Sequence, residues 1–467
     1  MPNQNHRVER ALETLKKDFI VVGKTRVRSW HAWLAIGLAA GIVAGILFVA
    51  NRSGEFEAGL AQVAPTSGNV YYVATNGNDG NSCAQAKSQS SAKKTFNSVK
   101  SCTAPGDTVL VRGGTYQGTW SGMPGGTSWS SSITWKSYPG ETVTVAAPAT
   151  DRAMTLDTST QQYLIFDGFI FDGAAQTGGY DVIKITSGAH HIRIQNSEIK
   201  NAGNQAILLT GKAQGTCCVE IINNKIHDNG RFYTCCALHS IYSQVDDVII
   251  KGNDIYNQKN GEAIQIYYNG ASNNIIANNK IHDSSSVLIT ASTGSGHKIY
   301  NNLLYGAGSG IKIAYGGTAD IYNNVLYGGY IDIEQTQAPA PKVINNIIYP
   351  ESTPFGFAVR VFPDIASTVV IKNNIIGPTT YGALLIQTSG SPPIPPSSNI
   401  QGNLIGSQYD PKFINAAARD FHLQSTSPAI NAGATLGAPY DKDFVGVSRP
   451  QGSAYDIGAY EYGGVVT

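Results

Sequence analysis

A short phrase, two asparagines followed by two or three apolar residues, recurs from the middle of the chain onward and constrains the fold more than any other feature. It reads NNKIHD at 223–228 and again at 278–283. Successive copies lie 22 to 29 residues apart, counted at Asn196, Asn224, Asn253, Asn279, Asn302, Asn324, Asn346, Asn374 and Asn403. A repeat of this period is typical of a solenoid, in which each repeat forms one coil and packs on the next.

Short alternations of apolar residues within each repeat indicate strands. Segments such as 248–255 (VIIKGNDI) and 342–349 (KVINNIIY) have a period of two, and no long amphipathic helical pattern lies between such segments. Three short strands per repeat predict an all-β, single-stranded parallel β-helix. Asparagine then stacks on asparagine in successive coils, and the side-chain amides bond along the axis. The alternative is a row of asparagines that binds sugar or a metal ion.

The first fifty residues differ from the rest of the chain. Residues 1–29 hold seven Lys or Arg against three acids, and residues 30–50 contain no Asp, Glu, Lys or Arg. That apolar run is long enough to span a membrane as a helix, and the positive-inside rule places the basic segment in the cytoplasm. We therefore expect a single-pass membrane protein with a linker at 51–69 and everything beyond it at the cell surface or in the periplasm. Secretion after signal-peptide cleavage, near AGLAQVA at 58–64, is the alternative.

The six cysteines all lie beyond the apolar run, and an even number suits an oxidising compartment. A disulfide between Cys83 and Cys102 would close a loop around 92–101. Two vicinal pairs lie eighteen residues apart and would cross-link neighbouring repeats: Cys217 with Cys218, and Cys235 with Cys236. A zinc site built from these four residues is the alternative, although CC is not the usual CxxC spacing.

A second alternation in each repeat predicts a column of outward-facing side chains. Its copies include SIYSQ (240–244), AIQIY (263–267), GIKIA (310–314), YIDIE (330–334) and AVRVF (358–362). The second and fourth residues should face the core, and the third and fifth should face solvent. The copy VLITA (287–291) fits less cleanly, and its register is open by one residue. The substrate-binding candidates on this face are Tyr242, Gln265, Tyr267, Asp332, Glu334 and Phe362, whose aromatic members could stack on sugar rings.

Three residues near this column are catalytic candidates. Lys312 or Arg360 could act as a base or hold a substrate carboxylate, and His239, just before SIYSQ, could act as an acid or a base. The alternative for the charged residues is a ladder of cross-strand salt bridges on an exposed sheet. The alternative for His239 is a structural histidine whose hydrogen bonds are satisfied.

The two ends of the repeat region, together with its coils, resemble right-handed parallel β-helix proteins of the pectin-lyase-like superfamily. YYVATNGNDGNS (71–82), followed by 93–116, is similar to the start of many exported bacterial members. SPAINAG (427–433), followed by 443–462, is similar to a C-terminal segment of the same proteins. The resemblance implies a right-handed β-helix with an N-terminal cap over 70–405 and a capping segment over 406–467. Such caps cover the open core and sheet edges of a solenoid.

Many members of this superfamily cleave acidic polysaccharides, so the resemblance implies a polysaccharide partner. The chondroitinase B and alginate lyase family is similar around 260–283, but IQIYYNG and VLITAST stand where that family has its catalytic lysine and arginine motifs. The aspartate motifs of polygalacturonases are not found as a set either. A surface enzyme, namely a polysaccharide lyase, glycoside hydrolase or epimerase, and a non-catalytic glycan-binding or adhesion protein therefore both stay open.

Charge and possible cofactors add two further expectations. The chain has 33 Lys and Arg against 32 Asp and Glu, and this balance argues against nucleic acid as a partner, because phosphate binding needs a basic excess. Calcium is a possible cofactor, and its candidate ligands are Asp441, Asp443 and Asp456 near the C-terminus.

Overall fold

The structure is a computed structural model that describes residues 68–232, 238–268, 270–306, 310–334, 340–352, 356–362, 368–386 and 397–464. The predicted cytoplasmic segment, the transmembrane helix, nearly all of the linker, Cys235 and Cys236 lie outside these residues. Within the described ranges, no helix is both long and apolar enough to cross a membrane.

Three parallel sheets, each taking one strand from successive coils, form the described β-helix. Strands are numbered in chain order. Sheet A has thirteen strands: β1 (Val70–Val73), β2 (Thr108–Val111), β4 (Ile133–Ser137), β7 (Gln162–Asp167), β10 (His190–Gln195), β13 (Glu220–Ile222), β16 (Ile249–Lys251), β19 (Ile275–Ala277), β22 (His297–Tyr300), β25 (Ala319–Tyr322), β28 (Lys342–Ile344), β31 (Val370–Lys372) and β34 (Ile400–Gln401).

Sheet B has twelve strands and sheet C has ten. Sheet B contains β3 (Gly114–Gln117), β5 (Val143–Ala146), β8 (Ile170–Asp172), β11 (Glu198–Lys200), β14 (Lys225–His227), β17 (Asp254–Tyr256), β20 (Lys280–His282), β23 (Leu303–Tyr305), β26 (Val325–Tyr327), β29 (Ile347–Tyr349), β32 (Ile375–Ile376) and β35 (Leu404–Ile405). Sheet C contains β6 (Met154–Leu156), β9 (Ile183–Ile185), β12 (Ile207–Leu209), β15 (Ile241–Ser243), β18 (Ile264–Ile266), β21 (Ile289–Ala291), β24 (Ile311–Ile313), β27 (Ile331–Ile333), β30 (Val359–Val361) and β33 (Leu384–Ile386).

Few other elements occur in the described ranges. One short α-helix, α1 (Phe96–Val99), precedes the second coil. Short 3-10 turns lie at Gln85–Lys87, Gln89–Ser91, Lys100–Cys102, Trp129–Ser131, Lys212–Gln214, Ser397–Asn399, Ser407–Tyr409 and Ala416–Ala418. An antiparallel pair, β36 (Phe413–Asn415) and β37 (Asp420–Leu423), follows the last coil.

A short helix lies near the N-terminal end of the β-helix, where a cap was predicted. The Thr95 side chain accepts a hydrogen bond from the backbone N–H of Ser98 and so begins α1, whose Phe96 and Val99 side chains are buried. The Phe96 ring stacks on Trp120, with ring centroids 3.8 Å apart, and it also contacts Trp135 at 4.2 Å. These large rings pack together in the core of the first coils, beside α1.

The predicted asparagine ladder is confirmed and faces the core. The Asn302 side chain is fully buried; its Nδ2 donates to Asn324 Oδ1 at 3.0 Å and to the carbonyl of Ile276 at 2.9 Å. The alternative of an asparagine row exposed for ligand binding is therefore wrong. The first position of the ladder also differs from the prediction, because Ser197, not Asn196, lies level with Asn224 and donates its backbone N–H to that side chain at 2.9 Å.

The C-terminal segment uses its acidic residues internally. Asp443 Oδ1 accepts the backbone N–H groups of Val445 and Val447, and Asp456 accepts those of Asn431 and Tyr462. Both carboxylates, which were candidate calcium ligands, therefore already accept hydrogen bonds from backbone N–H groups. No group of three or more His, Cys, Asp or Glu residues in the described ranges is arranged to hold a metal ion.

Two disulfides occur among the described cysteines. Cys83 is bonded to Cys102, as predicted, and their Cα atoms lie 5.4 Å apart. Cys217 is bonded to its neighbour Cys218. The expected cross-link between repeats is therefore not what these two residues form, because each takes the adjacent sulfur as its partner.

Candidate functional site

The outer face of sheet C carries the predicted column of side chains. Parallel pairing aligns Tyr242 with Gln265, Lys312 with Asp332, and Asp332 with Arg360. Thr290 of β21 occupies the place between Gln265 and Lys312. The uncertain repeat is therefore shifted by one residue, since Ile289 and not Leu288 stacks in the inward row.

The four charged residues of the column form one connected ion-pair network. Lys312 Nζ lies 2.9 Å from Glu334 Oε2. The Arg360 guanidinium binds both carboxylate oxygens of Asp332, with Nε 2.7 Å from Oδ1, and also lies 3.2 Å from Glu334 Oε1. The ladder of salt bridges that was the structural alternative is thus present. Both cations already have carboxylate partners, so a substrate carboxylate would have to compete with Glu334 or Asp332.

This network fixes the charge of Lys312. Burial alone would lower the pKa of its ammonium group, but the hydrogen bond and charge of Glu334, together with Asp332, raise that pKa above its ordinary value. The side chain is therefore a cation at neutral pH. In this geometry it can stabilise negative charge, whereas removing a proton from a substrate would first require it to lose its own.

Aromatic rings lie on both sides of the charged network. The Tyr267 ring centroid is 5.9 Å from that of Tyr315 and 6.1 Å from that of Tyr268. Tyr268 and Tyr315 are 57% and 60% exposed, which is unusual for rings of this size. At the other end, the Arg360 guanidinium lies 4.8 Å from the centroid of the Phe362 ring. Such rings offer flat apolar surfaces to a sugar ring.

His239 is buried beneath this face. It is 3% exposed, its ring stacks on Tyr242 at 5.4 Å, and its Nδ1 accepts the backbone N–H of Glu262 at 3.2 Å. Burial lowers the pKa of His239 to about 4, so its imidazole is neutral at neutral pH. These contacts match the structural alternative for this histidine, and its proposed acid–base role remains a prediction.

Glu262 is a residue of this face that the sequence analysis missed. The pairing of Ile241 with Ile264 places it level with His239, one coil further along. Burial raises the pKa of its carboxyl to about 7, against the opposite effects of the Thr290 hydroxyl and the Lys312 charge. One signal could have identified it: a lone acidic residue directly before AIQIY, at the position that histidine occupies before SIYSQ.

Comparison with known families identifies the architecture. The family described as "Right handed beta helix region" matches residues 169–326 and, overlapping them, 265–419. These matches together span more than half of the 467-residue chain. The chain belongs to the right-handed β-helix family. No curated protein matches this β-helix protein in sequence.

Solved structures agree with that assignment. The structure of pectate lyase Pel9A matches the β-helix protein with a TM-score of 0.57 and 18% identity, over 85% of this chain and 98% of the lyase. The structure of XylC in complex with xylose matches with a TM-score of 0.55 and 13% identity, over 84% of this chain and 98% of that one. At these identities the likeness shows the fold, and the resemblance to the pectin-lyase-like superfamily is confirmed.

The β-helix protein thus brings the predicted site residues together on one sheet. Some of them are paired in salt bridges, and the others are not. Tyr242, Gln265 and Tyr267 lie near the buried His239, whereas the ion-pair network occupies the following coils. Thr290 joins these two parts of the column. Any reaction on this face must therefore use side chains that are not already paired in salt bridges.

Proposed function

We propose that this protein binds polysaccharide along the outer face of sheet C, outside the cytoplasm, and cleaves it there. The observation that carries the proposal is the tyrosine group formed by Tyr267, Tyr268 and Tyr315, which borders the charged column and whose last two rings are exposed. Tyr315 also lies close enough to Lys312 to influence the pKa of that lysine. A chain that stacks on these rings would therefore run beside the ion-pair network.

Carbohydrate is the ligand class that best fits this combination. Exposed rings stack on the apolar faces of sugars, and the amide of Gln265 and the charged groups of the network can hydrogen-bond hydroxyl groups. The likeness of fold to a pectate lyase and to a protein bound to xylose supports testing carbohydrates first.

Acidic polysaccharide is the more specific candidate, with lyase chemistry as one route. Lys312 and Arg360 could hold a substrate carboxylate, but each would have to exchange a carboxylate that it already binds. A lyase needs such a cation to stabilise charge at the sugar carboxylate. The paired state of both cations therefore favours hydrolysis over elimination as the cleavage reaction.

A non-catalytic glycan-binding or adhesion protein is the second candidate, and the same network supports it. Salt bridges that satisfy one another stabilise a surface without any substrate. Binding without a new reducing end or an unsaturated product would then be the complete activity. The tyrosine group would bind glycan in the same way in an enzyme and in a non-catalytic protein.

A binding assay tests the proposal directly. Full-length protein in detergent is mixed with pectate, alginate, glycosaminoglycans and neutral xylan, and bound protein is measured by affinity electrophoresis. Tyr267→Ala with Tyr315→Ala should weaken binding at least tenfold, whereas Tyr462→Ala, an exposed tyrosine of the C-terminal segment, should leave it unchanged. Wild-type protein that binds none of these glycans, or an equal loss in all variants, would overturn the proposal.

The location is part of the proposal. An uncleaved apolar segment at 30–50 would anchor the β-helix to the membrane on its outer side. Mass spectrometry of the mature N-terminus tests this: an intact N-terminal segment in the membrane fraction supports the anchor, and a start near residue 65 supports secretion instead.

A further inference from the structure

Glu262 occupies a special place on the proposed binding face. It directly precedes Ala263 and β18, and its backbone N–H donates to Nδ1 of His239 in the neighbouring coil at 3.2 Å. This hydrogen bond holds the backbone of Glu262 in place and occupies the acceptor nitrogen of the His239 ring. The Glu262 side chain itself is only partly exposed.

One oxygen of the Glu262 carboxyl lacks a hydrogen-bond partner among the described residues, although the Thr290 hydroxyl lies near enough to favour the carboxylate. This oxygen, Oε2, is buried, and so are Thr290 Oγ1 and Ser292 Oγ in the next coil. Buried polar atoms in native proteins nearly always have partners, so the lone Glu262 oxygen calls for an explanation. A ligand, a water molecule or a proton on the carboxyl would supply the missing partner.

The surroundings of Glu262 prepare it to carry a proton. Burial is the main influence on its pKa, which rises to about 7, so both protonation states are populated at neutral pH. The Lys312 ammonium acts in the opposite direction and stabilises the carboxylate that remains after the proton has left. A group in this state can both donate and accept protons near neutral pH, as general acid–base catalysis requires.

The other ionisable groups of this face are engaged elsewhere. Asp332 and Glu334 each bind Arg360, and Lys312 binds Glu334. His239 is 3% exposed. Glu262 is thus the carboxyl group of this cluster whose oxygen lacks a partner.

We propose that Glu262 is the catalytic acid of this protein and protonates the glycosidic oxygen of a polysaccharide bound on sheet C. The inference rests on the proposed function. In the hydrolytic step the O–H bond of Glu262 breaks and its proton moves to the glycosidic oxygen. That oxygen keeps the electron pair of the breaking C–O bond and leaves as a hydroxyl group. Water adds its hydroxide to the anomeric carbon, and its remaining proton restores the Glu262 carboxyl.

The test compares cleavage and binding in the same variants of the full-length protein. Cleavage is followed by new reducing ends and by the ultraviolet absorbance of unsaturated uronate. Glu262→Gln should lower cleavage by about 10²- to 10⁴-fold, the usual contribution of a general acid, while glycan binding stays unchanged. Glu351→Gln, which removes an exposed carboxylate elsewhere, should affect neither measurement.

The pH profile separates a chemical role from a structural one. Cleavage by a general acid falls as the acid loses its proton, so wild-type activity should decline above about pH 7. Lys312→Met removes a charge that favours the carboxylate, so the decline should move to higher pH in that variant. A structural role for Glu262 predicts no such displacement.

The outcomes separate the catalytic role of Glu262 from polysaccharide binding on sheet C. Retained cleavage in Glu262→Gln, or a pH profile that Lys312→Met does not move, would overturn the catalytic assignment. A wild-type protein that binds glycans but cleaves none would overturn it as well, while leaving polysaccharide binding intact. Loss of glycan binding in Glu262→Gln, with unchanged thermal stability, would also count against it, because the residue would then be a binding group.

Discussion

The imidazole of His282 lies flat against the ring of Tyr256 on the outer face of sheet B, with centroids 5.1 Å apart and planes within 5° of each other. Both imidazole nitrogens face carboxylates: Nδ1 is 2.8 Å from Asp283 and Nε2 is 3.3 Å from Asp254. Tyr305 covers the other face of the imidazole at 4.7 Å. In this second copy of NNKIHD, the histidine therefore lies between two aromatic rings and faces two carboxylates.

This arrangement makes stability depend on pH. Burial alone would lower the pKa of His282, but hydrogen bonds and charges of Asp254 and Asp283 raise it above its ordinary value of 6.5. A histidine whose pKa is raised on folding stabilises the protein below about pH 6.5, and the effect is lost as pH rises through the folded-state pKa. His282→Gln should therefore lower the melting temperature clearly at pH 5.5 and much less at pH 8.5.

The control for this prediction is His422→Gln, which removes a more exposed histidine of β37. Melting curves of both variants should be recorded across the same pH range. An equal loss of stability by His282→Gln at both pH values would contradict the ion-pair explanation. The loss would then be due to side-chain packing alone.

The asparagine ladder predicts a large and position-dependent loss of stability. Asn302→Ala would remove the acceptor for the backbone and side-chain nitrogens of Asn279, each 3.0 Å away, as well as its own bonds to Asn324. Each buried group left without a partner costs about 1–3 kcal/mol, so the total should reach at least about 3 kcal/mol. Asn403→Ala, at the last and partly exposed place of the ladder, should cost less when both are measured by denaturant unfolding.

The two disulfides should contribute very unequally to stability. The Cys83–Cys102 bond joins residues 19 apart, and a closed loop of this size stabilises a protein by about 3 kcal/mol through the unfolded state. The Cys217–Cys218 bond joins neighbours and closes almost no loop. Replacing the first pair by serine should lower the free energy of unfolding strongly, and replacing the second should change it little. Equal losses would show that the second pair has another structural role.

Glu262 should also lower stability at high pH. Its folded-state pKa of about 7 lies above the ordinary value of 4.5, so the folded protein holds the proton more tightly and loses stability as pH rises from about 4.5 through 7. This shift corresponds to about 3 kcal/mol as an order of magnitude. Glu262→Gln should therefore melt at a higher temperature than wild type at pH 8.5 and at a similar temperature at pH 4. A variant less stable than wild type at pH 8.5 would contradict the buried-carboxyl explanation.

The sequence predicted the coils and the outward column because both depend on local alternation with a period of two. That rule aligns Lys312, Asp332 and Arg360 in one column, since each follows an Ile or Val that packs inward. It predicted solvent exposure for all three, however, and Asp332 is only 3% exposed. The same rule failed at 287–291, where five consecutive residues offer two possible registers and only stacking on β18 and β24 selects one. It also misplaced the first step of the ladder, because Ser197 there replaces the second asparagine.

Glu262 could not be identified from alternation, because it lies in the turn before the strand. Its importance arises from the burial of one oxygen and from a neighbour, Lys312, that lies two coils away. The pairing of Cys217 with Cys218 was missed for a related reason. Spacing along the sequence shows which cysteines could meet across coils, whereas the backbone at this corner brings adjacent sulfurs together.

The most direct test of the account is amide hydrogen exchange of the full-length protein with and without a bound oligosaccharide from the glycan panel. Polysaccharide binding on sheet C predicts slower exchange at 262–268 and 311–315, which carry Glu262 and the tyrosine group, and no change in β14, β17 and β20 of sheet B. Protection confined to sheet B or to the C-terminal segment would contradict the central claim and place the glycan on another face.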